Sequence, residues 1–230
     1  MNGKINLPTV LTNRNNCTKF EDIRKNRNMK KILFSALPIA AIAAITLFPV
    51  SDPLPIGASL PKADQKMLNT AGENVSFKDA KKKNGLLVMF SCNTCPYVEK
   101  NQGRTNEISQ YALANDIGVV ILNSNEAYRG NEDSYEAMKE YALKQNYKWH
   151  YLVDKNSEMA DAFGANKTPE CFLFDNNNKL TYHGAIDDHP GDANAAGRKH
   201  LEIAIDEMKS GKDVSVKESK SIGCSIKRNK

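Results

Sequence analysis

Apolar residues fall along this chain in three patterns. The first is an uncharged run, "ILFSALPIAAIAAITLFPV", at residues 32–50. The second is a pair of shorter continuous runs, "LLVMFS" at 86–91 and "GVVILNS" at 118–124. A continuous apolar run of strand length is what a strand buried on both faces of a parallel sheet requires. The third is helical spacing. "DSYEAMKEYALKQ" at 133–145 sets Tyr135, Met138, Tyr141 and Ala142 on one face, with Asp133 or Ser134 as N-cap.

The remaining elements follow by local rules. Pro96 suits the first turn of a helix running to about residue 114, because the N–H it lacks has no intrahelical partner there. "WHYLVD" at 149–154 is strand-like, and "SEMADAFGA" at 157–165 is a short helix closed by Gly164. "CFLFDNNNKLTYHG" at 171–184 predicts two strands around an Asp/Asn-rich turn, and a last helix follows over about 195–209. Ahead of these, 51–64 is Pro-rich and extended, and "GENVSFKDAKKKNG" at 72–85 predicts a short strand and a basic turn. Strands and helices alternate and a hairpin comes near the end. That order predicts an α/β fold with a mixed, mostly parallel sheet and helices on both faces.

Charge changes the picture at the N-terminus. Residues 1–31 carry eight Lys/Arg against Glu21 and Asp22, more positive charge than the net +5 of the whole chain. The basic balance therefore belongs to the leader, and no basic face for nucleic acid is expected on the folded part. Lys30 and Lys31 directly precede the apolar run, which predicts a signal peptide or a membrane anchor with its basic side in the cytoplasm. About 17–25 apolar residues can span a bilayer, so length is compatible with either. The expected organisation is a basic leader at 1–31, an export or anchor segment at 32–50, a domain at 51–210 and a polar tail at 211–230. The domain would lie outside the cytoplasmic membrane, periplasmic or held at its outer side. Disulfides persist in such a compartment.

Cys17 lies ahead of the apolar run, so four cysteines remain for the exported part: Cys92, Cys95, Cys171 and Cys224. Cys92 and Cys95 stand in "FSCNTCPYV", at a strand-to-helix junction. With Cys92 at the helix N-terminus, unpaired amides and the helix dipole would favour its thiolate, the reactive form. Cys95, one turn on, would resolve a mixed disulfide. A structural zinc site would want a second close cysteine pair, and a ring this short gains little as a staple. Thiol–disulfide exchange is the expected use, with no metal and no cofactor.

Several stretches together resemble the thioredoxin-like superfamily, in particular the bacterial redoxin branch near the alkyl hydroperoxide reductase/thiol-specific antioxidant group. They are "PIGASLP", "GENVSFKDA", "LLVMFSCNTCPYV", "GVVILNSN" and "TPECFLFDNNNKLTYHGAIDD", within about 53–210. "SIGCSIK" resembles a tail of exported members. The resemblance implies a thioredoxin-like three-layer α/β sandwich. It gives Cys92 the attacking role, Cys95 the resolving role and Pro169 the place of a cis-proline facing them. Thr168 would then present backbone groups to an extended substrate segment. The implied activity is disulfide exchange with protein disulfides or dithiols and a redox partner protein.

The chain departs from that pattern in three ways. Ser91 replaces the usual Trp, and Asn93-Thr94 the usual Gly-Pro. Leu86 stands where thioredoxins bury an acid, so the residues identify no proton acceptor, and Glu99, one turn beyond Cys95, is either a substitute or a solvated helix-face residue. The peroxidatic Pro and Thr positions fall on Gly85 and Met89 for Cys92, and on Val88 and Cys92 for Cys95. A thiol peroxidase is one alternative. A copper-delivery protein using the cysteines with His183 or His189 is another. Cys224 and Cys171 are auxiliary candidates: a static Cys171–Cys224 pair, a third redox cysteine at 224, or a free thiol there with Cys171 as core.

Overall fold

A computed structural model describes residues 52–229. The basic leader, the apolar run at 32–50 and Cys17 lie outside the described residues. Among those described, no helix is long and apolar enough to cross a membrane.

The central sheet has five strands. β3 (Gly85–Ser91) lies in the middle, with β4 (Ile117–Asn123) and then β5 (His150–Val153) parallel on one side. On the other side, β7 (Glu170–Phe174) and β8 (Leu180–Gly184) continue it as an antiparallel hairpin. β3 and β4 are buried at every residue, as their unbroken apolar runs require.

Alternation along the strands divides the interior into two cores. Leu86, Val88 and Phe90 face one side with Val120, Leu152, Phe172 and Phe174. Leu87 and Met89 face the other with Val119, Ile121, Tyr151 and Leu173. The first core is covered by Phe77 and Ala80 of α1 (Phe77–Ala80) and by Met159, Ala160 and Phe163 of α4 (Glu158–Phe163). The second is covered by α2 (Pro96–Ala114), α3 (Tyr135–Lys144) and α5 (His200–Lys209), through Ile108, Ala112, Met138, Leu201 and Ile205. Two further pairs, β1 (Met67–Leu68) with β2 (Asn74–Val75) and β6 (Lys167–Thr168) with β9 (Cys224–Ser225), are antiparallel.

The structure departs from expectation at three places. Helix α1 stands where a basic turn was expected. A capping box forms it: Asp79 N–H donates to Ser76 Oγ, and Ser76 N–H to Asp79 Oδ2. The last helix begins at His200, because Asp192 caps a separate 3-10 turn at Ala193–Ala195 by accepting from Asn194 N–H. The tail is not a separate polar extension. Lys217 and Ser219 bond the backbone of His183 along β8, and Ile226 is buried in the first core.

Candidate functional site

The two motif cysteines lie where β3 gives way to α2. The strand ends at Ser91, the backbone turns through Cys92, Asn93 and Thr94, and Cys95 is the N-cap of α2 with Pro96 following. This corrects one expectation: the helix N-terminus belongs to Cys95, not to Cys92. The Cys95 side chain makes no cap hydrogen bond to the amides of that turn.

Cys92 is a buried free thiol, 1% exposed, with its Sγ 3.5 Å from Thr168 Oγ1. Burial pushes its thiol up from the ordinary value, and the charge of Asp133 adds to this. The Thr168 hydroxyl and the amides of Cys95 and Thr94 act in the opposite direction. Burial prevails, so in this conformation Cys92 is held as the protonated thiol at neutral pH.

A buried polar network fixes the turn between the cysteines. Asp133 accepts at Oδ1 from Asn93 N–H at 2.8 Å and from Asn123 Nδ2 at 2.6 Å, and at Oδ2 from Asn125 Nδ2 at 3.0 Å. Tyr151 donates its hydroxyl to Asn93 Oδ1 at 2.8 Å and accepts from Asn123 Nδ2 at 3.0 Å. The N-cap of α3 is Ser134, whose hydroxyl accepts from Ala137 N–H, which leaves Asp133 free to turn inward. Sequence reading missed this role by offering Asp133 as a cap. The available signal was a polar Asn123 closing an otherwise apolar strand.

Thr168 and Pro169 form the facing wall, joined by a cis peptide bond as the resemblance implied. The Thr168 carbonyl oxygen lies 3.3 Å from Cys95 Sγ. Glu170 braces this segment. Its Oε2 accepts from Asn166 N–H and Lys167 N–H, and its Oε1 lies 3.0 Å from His183 Nε2. The His183 ring is packed on Phe172 at 4.8 Å between centroids. His183, a copper candidate, is thus engaged with Glu170. Among the described residues no group of three or more His, Cys, Asp and Glu side chains is placed to hold a metal. Leu86 is core, Glu99 is exposed, and the buried carboxylate whose charge acts on Cys92 is Asp133.

Cys224 comes to the same place. Its strand pairs with β6, Thr168 opposite Cys224 and Lys167 opposite Ser225, and Cys224 is disulfide-bonded to Cys95 with Cα atoms 6.1 Å apart. The three cysteines 92, 95 and 224 pack in one small apolar cluster with Val98, Tyr97 and Tyr141. The alternative of a static Cys171–Cys224 pair is overturned. Cys171 sits opposite Met89 inside the second core, fully buried and free, its thiol pushed far up by burial. It is a small core residue.

The comparisons with known proteins bear on the family and the fold. The family model described as Redoxin matches residues 55–198. An uncharacterized conserved protein from Geobacillus kaustophilus is similar in structure, with a TM-score of 0.71 and 33% identity over 76% of this chain and 93% of that one. A hypothetical protein from Sinorhizobium meliloti 1021 aligns with a TM-score of 0.70 and 31% identity, over 78% of this chain and 97% of the other. A mutant of PrxQ from Xylella fastidiosa, 14% identical with a TM-score of 0.51 over 70% of this chain and 99% of its own, shares the fold. A search of curated proteins finds no significant match.

Proposed function

The chain belongs to the Redoxin family, and from that premise we propose that it is an exported thiol–disulfide oxidoreductase acting on protein substrates through Cys92 and Cys95. The observation that carries this reading is the strand at Cys224. An extended, cysteine-bearing segment pairs with the backbone of Thr168 and has its sulfur bonded to Cys95. A substrate segment in the same pose would gain strand hydrogen bonds from Thr168 and bring its disulfide to the cysteine pair.

In the reductive direction, the Cys92 thiolate attacks one sulfur of the substrate disulfide. The electron pair of that bond leaves on the other substrate sulfur, which takes a proton. The Cys95 thiolate then attacks Cys92 Sγ, forming Cys92–Cys95 and releasing the second substrate thiol. Oxidation of a substrate dithiol is the same path reversed. Asn93, held by Asp133 and Tyr151, fixes the turn across which the two sulfurs meet. Export rests on the uncharged run at 32–50 behind Lys30 and Lys31.

The test is insulin-disulfide reduction by the full chain with dithiothreitol as electron donor, read above the dithiothreitol background, with peroxide consumption measured alongside. The reading expects insulin turnover that falls to background in Cys92→Ser, and no peroxide turnover. Undiminished insulin turnover in Cys92→Ser would overturn it. Peroxide consumption dependent on Cys92, without insulin turnover, would make the protein a peroxidase.

A further inference from the structure

In the structure described, a second protein could not reach the cysteine pair. Cys92 is 1% exposed and Cys95 4% exposed. The backbone of Thr168 is already paired by β9. The fit is close enough that a Cβ built on Gly223 would lie 2.1 Å from the Thr168 carbonyl oxygen. Beyond the cysteine the tail is held on both sides. Ile226 N–H donates to Asn166 O, Lys227 N–H to Asn125 Oδ1, and Ala127 N–H to Lys227 O. Arg228 bonds Asp161 Oδ1 and the carbonyl oxygen of Ala165. One of these anchors, Asn125, also donates to Asp133, which holds the Asn93 amide. The tail is therefore joined to the cysteine turn by a disulfide, a strand and a hydrogen-bond relay.

We propose that Cys224 is a third redox residue of this site, and that its strand is an internal substrate which the cysteine pair binds and releases by disulfide exchange. This deepens, and rests on, the reading of the cysteine pair as a thiol–disulfide exchanger. The exchange consumes no oxidant or reductant. Cys92 gives up a proton, which is balanced by the one that Cys224 gains, and its thiolate attacks Cys95 Sγ. The Cys92–Cys95 bond forms, the Cys95–Cys224 bond breaks, and the electron pair leaves on Cys224 Sγ, which takes a proton. Cys92 is the free thiol packed against that disulfide. Cys224, half-buried on the tail, is the outward leaving group. With Cys224 released, the strand loses its covalent hold, and its departure uncovers Thr168 for an external segment. The closed form keeps protein substrates out, and the open form carries the oxidised pair.

The experiment compares the full-length wild type, Cys92→Ser and Cys224→Ser. Each is brought to one disulfide, quenched in acid, alkylated and mapped by mass spectrometry. Amide hydrogen exchange is followed over residues 224–226. Wild type is expected to yield both Cys95–Cys224 and Cys92–Cys95 peptides. Cys92→Ser should give Cys95–Cys224 alone, and Cys224→Ser should give Cys92–Cys95. The tail amides should exchange about tenfold or more faster in Cys224→Ser than in Cys92→Ser, as expected when a covalent hold on a local unit is lost. Absence of Cys92–Cys95 from wild type overturns the relay, as does equal tail protection in the two variants.

Insulin turnover separates the two readings. Turnover lost in Cys92→Ser, with equal tail protection in both variants, keeps the oxidoreductase and removes the internal substrate. Exchange and tail release without insulin turnover in wild type or Cys224→Ser keeps the internal substrate and removes protein disulfides as the external one.

Discussion

Thr168 and Cys224 sit opposite each other in a two-stranded antiparallel ladder, so the residue before the cis-proline is paired with the third cysteine of the site. The adjacent Gly223 makes that register possible. The atoms its Cβ would meet are the Thr168 carbonyl carbon and oxygen and Pro169 N, none of which can rotate away. Gly223→Ala should therefore destabilise the oxidised full chain by about 1–3 kcal/mol, as overpacking against backbone does. The reduced protein, whose tail has no covalent hold, should lose less. Denaturant unfolding of both redox forms checks this, and equal losses would contradict it.

Cys92 should titrate late. Its thiol is raised first by burial and then by the Asp133 charge. In the protein carrying the Cys95–Cys224 disulfide, its alkylation by iodoacetamide should climb with pH through and beyond the ordinary cysteine range. Asp133→Asn removes the charge and should move that profile to lower pH. The same change leaves one of the Asp133 donors facing an amide NH2 group, so stability should fall by about 1–3 kcal/mol. An unmoved or upshifted profile would contradict the role given to Asp133.

Burial of Cys92 also bears on stability. Its folded-state value lies above its unfolded one, so the unfolded chain releases this proton first as pH rises. Stability of the protein carrying the Cys95–Cys224 disulfide should decline above the unfolded cysteine value, and Cys92→Ser should flatten that decline. Urea midpoints for both proteins at neutral and alkaline pH measure it.

Much of this arrangement was legible in the sequence. The unbroken runs at 86–91 and 118–124 located the central strands, and the cysteine spacing with Pro96 located the strand-to-helix junction at which the pair stands. What escaped notice depended on tertiary contacts. Asp133 and Ser134 are equivalent caps in sequence, and only the packing of α3 turns one inward and leaves the other on the helix. The tail looked polar because its core anchors, Val214 and Ile226, stand among charged and small residues. Its partners at 125–127, 161–168 and 183 are distant in the chain. The pairing of Cys224 with Cys95 required that strand register, which no local pattern encodes.

Ser76 is a local case with a local test. Its hydroxyl accepts from Asp79 N–H and begins α1, which covers one core through Phe77 and Ala80. Ser76→Ala should cost about 1 kcal/mol in denaturant unfolding and leave disulfide exchange unaltered. A change in exchange with no loss of stability would place Ser76 elsewhere in the account.

Glu170 braces the wall opposite the cysteines through two backbone amides and His183. Glu170→Gln keeps the shape but opposes an NH2 group to at least one of these donors. Stability should fall by about 1–3 kcal/mol and exchange at the cysteine pair should slow as Thr168 loses its support. A stable variant with full exchange would show that the wall needs no brace.

The most direct measurement is covalent trapping. The full chain carrying Cys95→Ser and Cys224→Ser has neither a resolving thiol nor a tail thiol, so a substrate attacked at Cys92 should stay attached. Incubated with insulin and mapped by mass spectrometry without reduction, it should carry an insulin chain on Cys92 and nothing on Cys171. No adduct at Cys92, under conditions where the wild type reduces insulin, would contradict the account at its centre.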